Sequence, residues 1–155
     1  MIALKDIVVA VDFSEYSGAA IEEARRLADQ FGARVHLLHV VDEPFHDMWA
    51  NYAPGSDFMA VVEELEADAL KRLDRIARNR LATTLHVVAT EWGDPCAKIL
   101  EYAGRQNTDL IVCGTHGRTG WEHVLMGSVA ERLVRLAPCP VLTVHAAPVG
   151  AAAVA

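Results

Sequence analysis

The chain has 155 residues, of which 52% are apolar, and a formal net charge of −7. The length suits one domain around one core, and the apolar content excludes a disordered chain. An acidic balance excludes bulk binding to DNA or RNA through counterion release, yet it leaves room for a small anion held by backbone amides. The apolar runs are too short to span a bilayer, and the opening Met1-Ile2-Ala3-Leu4-Lys5-Asp6 lacks the segments of a signal peptide. A cytoplasmic location with no membrane partner is expected.

Residues 7–11 form a short apolar run that reads as a buried strand ending at Asp12. Ser14-Glu15 opens a helix, with Tyr16, Ala20, Ala24, Leu27 and Phe31 at the spacing of one face and Gly32 as its stop. Residues 35–41 make a second strand. Residues 42–57 break the pattern with Pro44, Pro54 and Gly55, and read as a lid or a packed surface loop. A long helix follows, marked by Met59, Val62, Leu65, Ala69, Leu73, Ile76 and Arg80. Residues 85–89 are a third strand. Gly93-Asp94-Pro95 turns into a helix, with Asp94 as N-cap and Pro95 at its first position. Residues 110–113 are a fourth strand, a helix runs from about Ser128 to Leu136, and residues 141–144 close the chain as a fifth strand.

Strict alternation of strand and helix predicts an α/β domain with an open parallel sheet of five strands and helices on both faces. No linker divides residues 1–146, and residues 147–155 form a small, featureless tail that is expected to fray. Cys96, Cys113 and Cys139 fit no zinc spacing and read as small, reduced core residues.

Ligands of such sheets bind beyond the carboxyl ends of the strands, near the point where strand order reverses. Two segments lie there: Asp12-Phe13-Ser14 after the first strand, and Gly114-Thr115-His116-Gly117 after the fourth. The second continues through Arg118 to Gly127-Ser128 at a helix start. Glycines let a backbone approach an anion, and the first amides of a helix have no internal partner. The amides of Ser128 and Val129 are therefore candidate phosphate ligands, with Arg118 adding charge-assisted bonds. The same residues also suit a purely architectural role: the glycines shape turns, and Ser128-Val129-Ala130-Glu131 fits a capping box. His116 reads as a loop residue that fixes the turn, and His39 as a packed strand residue. No catalytic Ser-His-Asp or Cys-His spacing is present.

The pattern of Gly114, two residues, Gly117, nine residues and Gly127-Ser128 resembles the ATP-binding signature of the universal stress protein family. Residues 7–14, 37–41, 93–95 and 138–144 resemble the same family, so the likeness spans nearly the whole chain. It implies a Rossmann-like sheet of strand order 3-2-1-4-5. It implies that Asp12 lies near adenine or ribose and that the Val40 backbone meets adenine. Gly114, Gly117, Gly127, Ser128 and Val129 then surround ribose and phosphates, with Mg2+ or Mn2+ carried on the phosphate oxygens. It also implies a homodimer through Val141, Leu142, Thr143 and Val144. Three functions remain open on the residues: a regulatory or protective ATP-binding protein, a slow ATP hydrolase or phosphate- or adenylyl-transfer enzyme, and a dimeric interaction module that does not use nucleotide.

Overall fold

The structure, a computed structural model, describes residues 4–42, 58–116 and 126–146. The expectations for residues 43–57, for Gly117 and Arg118 and for the tail lie outside them. Five strands alternate with four helices among the described residues: β1 (Asp6–Ala10), α1 (Glu15–Phe31), β2 (Arg34–Asp42), α2 (Phe58–Arg80), β3 (His86–Gly93), α3 (Pro95–Gln106), β4 (Leu110–Gly114), α4 (Ser128–Leu136) and β5 (Val141–Val144). All neighbouring strands are parallel, in the order β3-β2-β1-β4-β5.

This order follows from chain direction. From β1 the chain steps outward to β2 and β3, then crosses back over β1 to β4 and β5. Right-handed crossovers then put the helices of the two excursions on opposite faces. The core divides accordingly. Ile7, Val9, Val35 and Leu37 pack on Ile21, Ala24 and Ala28 of α1 and on Leu73 and Ala77 of α2. Val8, Leu38, Val40, Ile111 and Cys113 face Ile99, Tyr102 and Ala103 of α3 and Ala130 and Leu133 of α4. Ile7, Val8 and Val9 are wholly buried, one residue to each face in turn, as a central parallel strand demands.

The termini of α1 and α3 form as their sequences predict. The Ser14 side chain accepts from the Ser17 amide at the start of α1, and Gly32 ends that helix at φ 69°. Asp94 caps α3 through the Ala97 amide, with Pro95 in the first turn. The buried face of α1 differs from the predicted one. Ser17, Ala20, Ile21, Ala24 and Ala28 are buried, whereas Phe31 is half exposed. The small residues face the sheet because the helix lies close upon it. On α2, Val62, Ala69 and Leu73 are buried, but Met59 and Leu65 are exposed.

One polar chain lies within the sheet, at the end opposite the strand carboxyl ends. His36, 2% exposed, places Nε2 3.0 Å from the Asp6 carboxylate and Nδ1 3.0 Å from the Tyr102 hydroxyl. Burial pushes the Tyr102 hydroxyl above its ordinary pKa, so it keeps the proton with which it can bond to the ring. Both ring nitrogens are thereby satisfied, which is the condition for burying a histidine.

At the other end of the sheet, Gly114 closes β4 against α1. A Cβ there would stand 2.7 Å from Tyr16 Cβ and 3.0 Å from the Tyr16 carbonyl carbon, atoms that cannot swing aside. Gly114→Ala therefore lowers stability by about 1–3 kcal/mol through overpacking. Chemical denaturation checks this; an unchanged midpoint contradicts the close approach.

Candidate functional site

Beyond β1 the chain turns sharply into α1. Asp12 Oδ1 accepts from the Ser14 amide at 3.0 Å and from the Ser14 hydroxyl at 2.5 Å. Phe13 between them has φ 65°, a conformation that a bulky residue adopts only when its surroundings impose it. Its ring is held against the His39 ring, centroids 4.5 Å apart, and beneath the Arg72 guanidinium, 3.8 Å from the ring centroid. Asp12 thus does the turn-anchoring work that its position suggests with one oxygen. No described residue bonds the other.

The neighbouring strand is opened by a histidine. The Val11 amide donates to Leu38 O at 2.8 Å, which sets the side of β2 that faces β1. Backbone groups alternate sides along a strand, so the N–H and C=O of Val40 point the same way as those of Leu38. The Val11 carbonyl, next in line to accept from Val40, takes the His39 Nδ1 proton instead, at 2.7 Å. The Val40 backbone is left facing the space where β1 has ended. His39 is packed, as its place in an apolar strand suggests, but its role in unzipping the ladder was not visible in the sequence. A histidine inside the apolar run of residues 35–41 was the available signal.

The other wall comes from β4 and α4. The Thr115 amide donates to Val144 O at 2.9 Å, and Thr115 O accepts from the Gly127 amide at 2.6 Å, so the ends of the long connection are tied together. The Thr115 hydroxyl lies 3.1 Å from Nδ1 of both His116 and His145, and the His116 ring packs on Tyr16. His116 therefore braces the turn.

The start of α4 departs from the capping-box expectation. Gly127, not Ser128, is the N-cap, at φ −70° and ψ 154°, with no side-chain hydrogen bond. The first helical bond runs from the Glu131 amide to Gly127 O at 2.9 Å. Ser128 is one residue inside the helix, where its hydroxyl cannot reach back over the first turn. Among the described residues the amides of Ser128, Val129 and Ala130 thus have neither an intrahelical partner nor a side-chain cap, in contrast to the capped starts of α1 and α3.

These pieces enclose one cavity of about 520 Å³, a size suited to a small organic ligand. Asp12, Val40, Gly114, Gly127, Ser128 and Val129 all line it. His39, Thr115 and Cys113 line it as well, although the sequence did not single them out as site residues. Arg132 on α4 donates to both Asp94 oxygens at the start of α3, at 2.9 and 3.0 Å. That guanidinium, together with the Ala97 amide, holds the Asp94 carboxyl below the usual range. Among the described residues no group of three His, Cys, Asp or Glu side chains is placed to hold a metal ion.

Cys113 faces this cavity without being reactive. Burial pushes its thiol from an ordinary value of 9.0 to about 11, so the nucleophilic thiolate is scarce at neutral pH. A raised folded-state value contributes stability that is present below the unfolded pKa and is lost as pH climbs through the folded one. The stability of the wild type minus that of Cys113→Ala should accordingly fall between pH 9 and about 11. Denaturation at a series of pH values checks it, and a flat difference refutes it.

Comparison with known proteins agrees with this architecture. The sequence model of the Universal stress protein family matches residues 3–145. A universal stress protein of Methanocaldococcus jannaschii is 37% identical over 145 residues, covering 90% of this chain and 81% of the relative. The solved structure of another protein of that organism superposes with a TM-score of 0.81 at 25% identity, covering 94% of this chain and 98% of the other. Two further folds of this kind were solved with ligands. One is a universal stress protein in complex with cAMP (TM-score 0.63, 22% identity, covering 92% and 98% of the two chains). The other is that of Archaeoglobus fulgidus in complex with dAMP (TM-score 0.59, 20% identity, covering 93% and 99%). With a family match over nearly its whole length and a sheet of the order β3-β2-β1-β4-β5, the chain belongs to the universal stress protein family.

Proposed function

We propose that this chain is a regulatory or protective ATP-binding protein that acts as a homodimer. The observation that carries the reading is the convergence of two unpaired sets of backbone groups on one cavity. The amides of Ser128, Val129 and Ala130 form an anion site at a helix start, and the N–H and C=O of Val40 lie across from it. The helix start takes phosphate oxygens. Val40 takes the edge of the base: its carbonyl accepts from the adenine amine and opposes the guanine carbonyl. Gly114 and Gly127 line the path between, and Asp12 presents its unbonded oxygen to ribose or adenine. Gly117 and Arg118 complete the phosphate loop in this reading. Mg2+ or Mn2+ rides on the phosphate oxygens rather than in a nest of side chains, and supplies charge neutralisation there. The cAMP and dAMP complexes of the related folds support an adenine nucleotide as the ligand. A chain that binds in this way needs no designed turnover, and His116 is occupied in bracing its loop.

Calorimetry on nucleotide-free protein with Mg2+ should give ATP an affinity at least about tenfold above that of GTP, the worth of one mispaired carbonyl. Equal affinities remove the adenine reading, and no heat with either removes the site. Gly127→Val should lose most ATP affinity yet stay folded, because φ −70° accepts a side chain that then fills the cavity. Ser128→Ala keeps the amide. It should weaken binding modestly and change stability by no more than about 0.5 kcal/mol, since Ser128 is not the cap. A folded Gly127→Val protein that binds ATP like the wild type overturns the phosphate site.

The homodimer rests on the open edge of the sheet. Among the described residues β5 pairs only with β4. Pro140 O and Val144 O are directed at β4, so by alternation the backbone groups of Val141 and Thr143 point outward. Val134 and Leu136 of α4, beside this edge, are 49% and 60% exposed. Two β5 strands paired antiparallel across a two-fold axis satisfy the edge and cover these side chains. Thr143→Pro deletes an outward donor and leaves the bonds to β4 in place. In light scattering the wild type should be a dimer at micromolar concentration and the variant a monomer. A monomeric wild type sinks the assembly, and a dimeric variant moves the interface elsewhere.

A further inference from the structure

A second cavity, of about 230 Å³, lies on the other side of the Asp12-Phe13-Ser14 turn, between α1 and α2. Arg72, Arg75 and Arg80 line it together with Phe13 and Gly18. In a chain of net charge −7, this concentration of arginine is unexpected. Among the described residues, Arg25, Arg26, Arg34, Arg105, Arg132 and Arg135 are each paired with a carboxylate. Arg72, Arg75 and Arg80 have no such pair there. Arg80 instead donates to Gly18 O at 3.1 Å, and its charge is felt by Glu22 on α1. Arg72 is seated on the Phe13 ring, whose φ of 65° is imposed by the turn, so one guanidinium is held in place before any ligand arrives. Arg75 makes no hydrogen bond or ion pair with a described residue.

We infer that this cleft is a second anion site, distinct from the cavity at the β1–β4 crevice, and that it takes a small phosphoryl oxyanion between the guanidinium groups of Arg72 and Arg75. The chemistry follows from the donors. Guanidinium forks match the oxygens of phosphoryl groups two at a time, and unlike ammonium groups they are weakly hydrated and ready to bond. The volume lies below that of sites for larger organic ligands, which favours a compact anion. Arg72 and Arg75 carry the site because Glu22 offsets some of the Arg80 charge. The anion is either free or the tail of a phosphorylated small molecule. Ser17 lines both cavities, so the two sites adjoin at the first turn of α1.

Isothermal titration of the full chain at low salt, without divalent cations, with inorganic pyrophosphate in one arm and ribose 5-phosphate in the other, tests the site. Arg72→Gln/Arg75→Gln should weaken whichever ligand binds by about tenfold or more, the loss expected for charged hydrogen bonds. Arg72→Lys/Arg75→Lys should retain some of the affinity, and the same losses and retentions should appear in a Gly127→Val background, where the phosphate site of the other cavity is blocked. Arg75→Gln alone touches no described partner and carries the test if the double variant fails to fold. Pyrophosphate binding alone identifies a free anion, and binding of both identifies the phosphoryl group as the element recognised. No binding of either ligand at millimolar concentration overturns the site. So does binding that the glutamine variants leave unchanged, or binding that Gly127→Val abolishes.

Discussion

The reversal of strand order between β1 and β4 is the constraint on which this molecule depends. On one side of it the chain leaves toward β2 over the α1 face, and on the other toward β5 over the α4 face. The segments that follow β1 and β4 therefore set out in different directions, and among the described residues a cavity lies between them. Everything at the candidate site is arranged around that divergence. The Asp12 turn bends away into α1, the Thr115 segment bends toward β5, and α4 begins with its amino end over the gap.

Such a crevice is useful only if polar backbone is left unpaired around it, and two local devices achieve this. His39 occupies the Val11 carbonyl, so the β1–β2 ladder ends just before Val40. Gly127 caps α4 without a side chain, so no described side chain caps the first amides of that helix. Either group left dry and unbonded would cost free energy. An open cavity, which admits water or a ligand, removes that cost. The stability of the surrounding frame comes from elsewhere: the two apolar layers, the capped helices and the Asp94–Arg132 fork that joins α3 to α4.

The Asp12-Phe13-Ser14 turn has two faces, and they differ in charge character. Toward the β1–β4 crevice it presents a carboxylate and backbone. Toward α2 it presents an aromatic ring covered by an arginine. The strained φ of Phe13 is the means by which three consecutive residues serve both sides, since it sends adjacent side chains in directions that a regular strand or helix does not allow. Arg72 of α2 lies over that ring and His39 of β2 packs against it, so the local geometry is shared between a helix and the sheet.

The elements themselves were legible in the sequence because their signals are local. Apolar runs of four to seven residues, Ser14 and Asp94 before helices and Gly32 after one are read from spacing and side-chain chemistry alone. The candidate residues Asp12, Val40, Gly114, Gly127, Ser128 and Val129 were legible through a family-like pattern, and they line one cavity. Tertiary structure decided what depends on a partner far along the chain. Which stripe of α1 is buried depends on how closely it lies on the sheet, so Ala28 is inside and Phe31 outside. Gly114 is small because Tyr16, ninety-eight positions earlier, leaves no room for a Cβ, a reason that no motif contains. That Gly127 and not Ser128 caps α4 is seen only in the folded chain, where the Gly127 amide is bonded to Thr115 O, twelve residues back. The open backbone of Val40 exists only because a histidine beside it reaches across to another strand. Sequence spacing determines local conformation, whereas an absent hydrogen bond or an excluded methyl group is a property of two surfaces that meet only in the folded chain.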